Sequence, residues 1–270
     1  MLHAFRTALA VMLICVYAAH LPVLVAGARR GVPWAVNSRW APKLLTGKVD
    51  WYHHWQDGSL GDELEGDAEF VPMFWGESKM DEWERQKDEM EDNLPDALLF
   101  LNEPDVRSQA WTSPQDAADL YLREICPYQE QGVRISTPQI TYDFSWLDRF
   151  LSLVREQGCE PDFVAVHWYG GKRELGKLKQ FIRTGWTRYH KPMWLSELGI
   201  TAASNPTPGE VENFLSEALR WIDEQAFVER VAWHGVYSLE LPPDGFVTRF
   251  AAFFRRDSTL RRLANIYLYA

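Results

Sequence analysis

Residues 98–105 read Leu98-Leu99-Phe100-Leu101-Asn102-Glu103-Pro104-Asp105, an apolar run that stops abruptly at a charged residue and a proline. The apolar run predicts a buried strand, and Glu103 and Pro104 predict the start of the loop that follows it. Residues 193–199, Met193-Trp194-Leu195-Ser196-Glu197-Leu198-Gly199, repeat the same pattern. Each glutamate is therefore expected at the carboxyl end of a strand, where (β/α)8 barrels carry their catalytic residues.

Short runs rich in Val, Ile, Phe, Trp and Tyr recur along the chain, and each is followed by a polar, helix-compatible stretch. This alternation is typical of βαβ units. We count eight runs, at residues 31–36, 49–55, 69–76, 97–103, 134–140, 163–169, 192–198 and 230–238, and expect helices that include 77–93, 113–131, 207–226 and 248–269. Eight alternating pairs predict an α/β fold, a single (β/α)8 TIM barrel over residues 29–270. The doubly wound open sheet is the competing architecture, but no glycine-rich phosphate loop follows the first run.

Composition limits the partners of the chain. Its 270 residues carry a formal net charge of -10, with acidic and basic residues interspersed. Such a surface does not favour nucleic acid or an anionic membrane. The chain also contains 13 Trp, 10 Tyr and 14 Phe, and aromatic faces of this kind can stack on sugar rings as well as fill a core.

The N-terminus resembles a secretory signal, because Arg6 precedes an apolar run over residues 7–19 and the small residues Ala26-Gly27-Ala28 follow. We predict a signal peptide over residues 1–28 and a secreted, extracellular protein, with association with a cell wall as one location open to it. An uncleaved anchor is the alternative. Cys126 and Cys159 would remain in the mature chain, and in an oxidising compartment a bridge between them is an open question.

The two glutamates end the fourth and seventh predicted strands, which face one another across an eight-stranded barrel. Cleavage of a glycosidic bond needs one carboxyl group that donates a proton and a second, ionised one that attacks or stabilises the anomeric carbon. Glu103 and Glu197 satisfy that requirement. A separation of about 5–5.5 Å between the two groups would retain the anomeric configuration, and about 6.5–9.5 Å would invert it.

Further motifs resemble glycoside hydrolase family 128, whose members are (β/α)8 enzymes that act on β-1,3-glucans. In chain order these motifs are Arg30-Gly31-Val32, Val49-Asp50-Trp51-Tyr52-His53-His54-Trp55, Val71-Pro72-Met73-Phe74-Trp75, Asn102-Glu103-Pro104-Asp105, His167-Trp168-Tyr169-Gly170 and Trp194-Leu195-Ser196-Glu197-Leu198-Gly199. The resemblance implies a retaining endo-β-1,3-glucanase with Glu103 as acid/base and Glu197 as nucleophile. His53 and His54 depart from the aromatic and amide residues that the family commonly has there.

Other residues near the strand ends are candidates for binding a sugar. Asn102 resembles an amide that contacts the sugar hydroxyl beside the anomeric carbon, and Tyr169 is expected to donate a hydrogen bond to Glu197. His167 is either a direct participant or a buried, satisfied histidine. Aromatic candidates for substrate binding are Trp51, Tyr52, Trp55, Trp75, Trp168 and Trp233.

Other classes of function are less well supported. We expect no cofactor and no metal, because adjacent His53 and His54 on a strand point to opposite faces and no third ligand follows at a recognisable spacing. We expect a monomer with a polysaccharide substrate and no stable membrane association after signal cleavage. The alternatives are an inactive, lectin-like glucan-binding barrel and a barrel glycosidase that acts on mannan or cellulose.

Overall fold

The computed structural model describes residues 27–34, 40–45, 48–60 and 68–269. Parallel strands alternate with helices along this part of the chain, so the α/β class is confirmed. The strands are β1 (Arg29–Pro33), β2 (Trp51–His53), β3 (Glu69–Phe70), β4 (Met73–Phe74), β5 (Ala97–Asn102), β6 (Arg134–Gln139), β7 (Val164–Gly170), β8 (Met193–Ile200) and β9 (Val228–Trp233). The helices are α1 (Ala41–Leu44), α2 (Met80–Asp92), α3 (Pro114–Glu124), α4 (Cys126–Gln129), α5 (Phe144–Glu156), α6 (Leu175–Tyr189), α7 (Pro208–Asp223) and α8 (Arg262–Tyr269).

Hydrogen bonding divides these strands into two parallel sheets, with the orders β3-β2-β1-β9-β8-β7 and β4-β5-β6. A single continuous ladder around eight strands is therefore not seen among the described residues. At one junction the predicted strand 69–76 is split, because the Val71 N–H donates to Tyr52 in the first sheet while the Pro72 carbonyl accepts from Leu99 in the second. At the other junction, parallel bridges join Ser136 to Phe163 and Ile140 to Val166.

The core has two layers. An inner cluster between the strands consists of Trp51, Val71, Met73, Ala97, Leu99, Phe163, Ala165, Trp194 and Ala232. Phe163 stacks on Trp194 with ring centroids 3.9 Å apart, and the Arg230 guanidinium lies 3.9 Å from the same tryptophan ring centroid. A larger cluster fills the space between strands and helices. These aromatic rings form a packed floor beneath the strand ends.

Helix α7 shows how the sequence determines where a helix begins and which of its faces is buried. Thr207 and Glu210 form a capping box, Pro208 occupies the first turn, and Leu215, Leu219 and Ile222 bury one face. Such a cap contributes about 1 kcal/mol and marks the helix start in the sequence. The C-terminal prediction is wrong in detail. Residues 248–269 form not one helix but a 3₁₀ turn at Arg249–Ala251, an antiparallel bridge between Phe254 and Leu260, and then α8.

The predicted signal peptide lies largely outside the described residues and stays a prediction. Gly27 and Ala28 are described, and the buried Ala28 donates its backbone N–H to Asp223 at 3.1 Å. The predicted cleavage point therefore falls beside a residue that packs in the fold. Within the described ranges, no helix combines the length and the apolar character that a membrane span requires.

Candidate active site

Four strand ends meet at one place, and each carries a chemically active side chain. Glu103 follows β5, His167 and Tyr169 lie on β7, Glu197 lies on β8, and His234 follows β9. The backbone at the end of β5 is irregular, since Glu103 has a φ of 52° and the β5–β6 register shifts there. A non-glycine residue in this left-handed region costs about 1–3 kcal/mol and is concentrated at functional sites. The Glu103 N–H is held by the Gln139 carbonyl at 3.0 Å.

The two predicted catalytic glutamates are brought together, and both are buried, with 8% of Glu103 and 4% of Glu197 exposed. His167 lies between them. Its Nδ1 is 2.9 Å from Oε1 of Glu103 and 3.6 Å from Oε2 of Glu197. One oxygen of each carboxylate and one ring nitrogen of His167 all lie within 4.8 Å of one another. The carboxylates of Glu103 and Glu197, far apart in sequence, therefore lie close enough together to act on the same bond of a substrate.

Glu197 accepts a hydrogen bond on each oxygen. The indole Nε1 of Trp55 donates to Oε1 at 3.0 Å, and the hydroxyl of Tyr169 donates to Oε2, as predicted. Burial and the negative charge of Glu197 raise the pKa of Tyr169 well above its ordinary value, so this phenol keeps its proton. Neutral donors aimed at both oxygens of this buried carboxylate stabilise its negative charge.

His167 is fully buried and satisfied at both ring nitrogens. Its Nε2 lies 3.2 Å from Oε1 of Gln139, which also accepts from the Ser196 hydroxyl at 2.8 Å. Burial by itself would lower the pKa of His167, but the charge of Glu197 and the hydrogen bond to Glu103 outweigh it and raise the pKa. His167 is therefore the buried, satisfied histidine that the sequence left as one option, and it also contacts the acidic pair, while its direct role stays a prediction.

His234 is a site residue that the sequence reasoning missed. Its Nδ1 lies 2.8 Å from the Tyr169 hydroxyl, and its ring centroid is 5.6 Å from that of Trp55. The signal was present, because His234 directly follows Trp233 at a strand end, the same position that singled out the two glutamates. Gln139 and Ser196 were missed as well, and their type and spacing carry no comparable signal.

Asn102 lies beside Glu103 and is buried. Its amide Nδ2 donates to Oε1 of Gln109 at 3.2 Å. Its Oδ1 is buried and has no hydrogen-bond partner within the described part of the chain. A buried acceptor without a donor is costly, so this oxygen suits a donor brought by a ligand.

Four of the six predicted sugar-binding aromatics are placed in the core, and the prediction is corrected for them. Trp51 lies in the inner floor, Tyr52 packs outward on Phe70, Trp168 stacks on Phe214 of α7, and the Trp233 indole donates to the Ala251 carbonyl. They are between 0% and 7% exposed, so they offer no ring face to a sugar. Trp55 and Trp75 are half-buried beside the site, and their role in sugar binding stays a prediction.

Three exposed aromatics that the sequence did not single out lie on loops after strand ends. Phe246 is 55% exposed, and its ring meets Tyr169 edge to face at 5.2 Å. Tyr142 is 65% exposed and donates its hydroxyl to the Asp105 carbonyl at 2.6 Å. Trp111 is 52% exposed with the Arg107 guanidinium 5.0 Å from its ring centroid. These three exposed aromatic rings therefore come from loops that follow strands.

The group Glu103, His167 and Glu197 is the one set of described residues whose atoms are close enough to coordinate a metal ion. The donor geometry fits proton transfer better. An indole N–H can only donate, and Trp55 and Tyr169 already place hydrogens against both oxygens of Glu197. The third member, His167, directs its Nδ1 at Glu103. The arrangement can thus move protons and support a buried negative charge.

Comparisons with known proteins agree with this chemistry. A family model described as the glycosyl hydrolase catalytic core matches residues 31–267. Alkali-sensitive linkage protein 1 of Schizosaccharomyces pombe is 26% identical over 216 residues, which are 76% of this chain and 38% of that protein. This chain therefore spans well under half the length of that relative.

Two solved structures illustrate the likeness in three dimensions. A GH128 (subgroup I) endo-β-1,3-glucanase from Amycolatopsis mediterranei, in complex with laminaripentaose, is 29% identical with a TM-score of 0.74 over 90% of this chain and 100% of its own. The second is a GH128 (subgroup III) curdlan-specific exo-β-1,3-glucanase from Blastomyces gilchristii in complex with glucose. It is 25% identical to this chain, and the likeness has a TM-score of 0.73 and covers 90% of this chain and 98% of the other. The resemblance to family 128 is thereby confirmed. The chain belongs to the glycosyl hydrolase catalytic core family.

Proposed function

We propose that this chain is a retaining endo-β-1,3-glucanase in which Glu103 is the acid/base and Glu197 is the nucleophile. The observation that carries the proposal is the closeness of the two carboxylates, with oxygens no more than 4.8 Å apart around His167. Retaining enzymes hold their carboxyl groups about 5–5.5 Å apart, whereas inverting enzymes leave about 6.5–9.5 Å for a water molecule. The short distance supports retention.

The different surroundings of the two carboxylates support the assignment of roles. Glu197 receives donors on both oxygens and suits a nucleophile that must be ionised. Glu103 contacts the ring nitrogen of His167, a partner with which it can share a proton. In the first step Glu197 attacks the anomeric carbon while Glu103 gives its proton to the departing oxygen. In the second, water attacks the same carbon, returns a proton to Glu103 and releases the Glu197 carboxylate.

The substrate assignment rests on the relatives and on the open part of the site. The related structures are described as β-1,3-glucanases, one with a bound laminari-oligosaccharide. Asn102, Tyr169 and His167 are assigned to the sugar beside the cleaved bond, and Trp55 and Trp75 to stacking. The (β/α)8 barrel remains the proposed architecture, since the two sheets are joined by bridges at β6–β7 and by the chain itself at residues 71–72. The Cys126–Cys159 disulfide supports a secreted location.

The test is the release of reducing ends from laminarin, cellulose and mannan by the wild type, Glu103→Gln and Glu197→Gln. We expect hydrolysis of laminarin and a loss of at least about 100-fold in each variant, because general acid catalysis alone contributes that much. A dinitrophenyl β-glycoside needs no proton on its leaving group, so it should restore the first step in Glu103→Gln and not in Glu197→Gln. Laminarin binding without turnover in the wild type would favour a lectin-like role instead.

Endo action is tested separately with reducing-end-labelled laminarihexaose. An endo enzyme releases a mixture of oligosaccharides from the first turnovers, whereas an exo enzyme releases one product from one end. Early accumulation of glucose alone would replace the endo assignment with an exo assignment. It would leave the roles of Glu103 and Glu197 unchanged.

A further inference from the structure

His234 stands directly behind the hydroxyl group that contacts the nucleophile. Its Nδ1 is 2.8 Å from the Tyr169 hydroxyl oxygen, and that hydroxyl is hydrogen-bonded to Oε2 of Glu197. We propose that His234 is a positioning residue, whose Nδ1–H holds the Tyr169 hydroxyl so that its hydrogen points at Glu197. The inference rests on the proposed role of Glu197 as the nucleophile.

The number of hydrogens on Tyr169 and His234 fixes the direction of both hydrogen bonds. A phenol has one hydrogen and can donate it once, although its oxygen can also accept. An ionised carboxylate can only accept, so the Tyr169 hydrogen must point at Glu197 for that contact to be favourable. The hydroxyl oxygen can then only accept from His234, which requires the hydrogen of the imidazole to be on Nδ1. With the hydrogen on Nε2, Tyr169 would donate to His234 and Glu197 would lose a donor.

Packing holds the histidine ring in the required place. The His234 backbone N–H donates to the Leu198 carbonyl at 2.8 Å, which ties the residue to the strand that carries Glu197. Its ring centroid lies 5.6 Å from Trp55, 5.8 Å from Tyr169 and 5.9 Å from Tyr237. Burial lowers the pKa of His234, so the neutral ring with a single N–H prevails near neutral pH and its choice of tautomer decides the hydrogen-bond direction.

The direction of this hydrogen bond affects both chemical steps. Glu197 loses its negative charge when it bonds to the sugar and regains the charge when water releases it. A donor already aimed at Oε2 stabilises the carboxylate as it departs, without reorganisation at that moment. Loss of the His234 donor is therefore expected to lower kcat more than it raises KM.

The kinetic test compares His234→Asn with His234→Leu on laminarin. Asparagine has nearly the shape of leucine and can place an amide N–H where Nδ1 was. We expect His234→Leu to lower kcat about tenfold and His234→Asn to stay within about threefold of the wild type, because one buried hydrogen bond between neutral groups is worth up to about a factor of ten. In a Tyr169→Phe background, His234→Leu should change kcat less than about twofold, since the group that it orients is absent.

Equal losses in the Asn and Leu variants, or the same loss from His234→Leu with and without the Tyr169 hydroxyl, would show that the ring only packs and would overturn the inference. An activity-independent measurement is the tautomer of His234 by ¹⁵N NMR of histidine-labelled protein, assigned with His234→Asn. Protonated Nδ1 is expected, and protonated Nε2 would overturn the inference. A wild type that hydrolyses no glycan would refute the proposed function instead, while the tautomer signal would still decide the role of His234.

Discussion

At the scale of single residues, His53 is a buried polar side chain that remains neutral in the fold. The side chain is fully buried, and its Nε2 donates to the carbonyl of Ser196, the residue before Glu197, at 3.0 Å. Its Nδ1 is buried without a hydrogen-bond partner among the described residues. If the His53 ring were protonated, its Nδ1–H would have no acceptor and a positive charge would be buried, which is unfavourable. Burial accordingly lowers the pKa of His53 from 6.5 to about 3.

This lowered pKa predicts a specific loss of stability in acid. Between pH 6.5 and about 3 the unfolded chain binds a proton at His53 that the folded chain does not, so the free energy of unfolding falls as the pH drops through that window. The pKa values of His54 and His234 are also lowered and act in the same direction. The pKa of His167 is raised, so it acts in the opposite direction, and its contribution is lost as pH rises.

His53→Gln isolates one contribution, because glutamine can keep a donor near Nε2 and does not titrate. Urea denaturation gives the free energy of unfolding of the wild type and the variant at pH 7 and at pH 4. We expect this free energy to fall from pH 7 to pH 4 in both proteins, and to fall by about 1–3 kcal/mol less in the variant. The same decrease in both proteins would mean that His53 does not remain neutral in the fold.

At the scale of elements, Asp105 joins the loop after β5 to the loop after β6. Its carboxylate accepts the backbone N–H groups of Thr141, Tyr142 and Asp143 at 2.9–3.1 Å, and its carbonyl accepts the Tyr142 hydroxyl. The residue is only 2% exposed. One buried charge thus fixes the loop that carries Glu103 against the start of α5. It also holds the exposed ring of Tyr142 in place.

Asp105→Asn should therefore destabilise the protein by about 2 kcal/mol, because the amide replaces one acceptor oxygen with a donor that faces other donors. The matched control is Asp143→Asn in the same segment, where the side chain caps α5 by accepting from Ser145 and Trp146. Asparagine caps as well as aspartate, so the control should change stability by less than about 0.5 kcal/mol. Urea denaturation of the three proteins measures the difference. A similar cost for both substitutions would show that the Asp105 charge is not what joins the loops.

At the scale of the whole molecule, a disulfide ties distant parts of the helical layer together. Cys126 at the start of α4 is bonded to Cys159, which follows α5, with a sequence separation of 33 residues. The open question about this pair is thus answered by the structure. A cross-link restricts the unfolded chain more than the folded one, and a loop of this size is worth about 3–4 kcal/mol in the chain-entropy description.

Cys126→Ser combined with Cys159→Ser should lower the free energy of unfolding by about 3–4 kcal/mol and leave hydrolysis near the wild-type rate at room temperature, since neither residue lies at the site. Dithiothreitol should lower the Tm of the wild type toward that of the double variant and leave the variant unchanged. If dithiothreitol left the Tm of the wild type unchanged, the disulfide would not be stabilising the fold.

The sequence by itself determined which segments are strands and which acids stand at their ends. The apolar run that stops at Asn102-Glu103-Pro104 is a local pattern. Such a pattern can be interpreted without knowing which other segments pack against it. The same reasoning placed Tyr169 within reach of Glu197. It failed at the third predicted strand, because Pro72 has no N–H and the chain changes sheets there.

Only the tertiary structure decided which aromatic rings face the site. Alternation along β2 separates Trp51 from Tyr52 but does not say which side is open, because both faces of a parallel strand are buried. The pairing of His234 with Tyr169 and of Cys126 with Cys159 was likewise decided by contacts between segments far apart in sequence. Such contacts depend on how the strands assemble around the inner core, and no single segment contains that information.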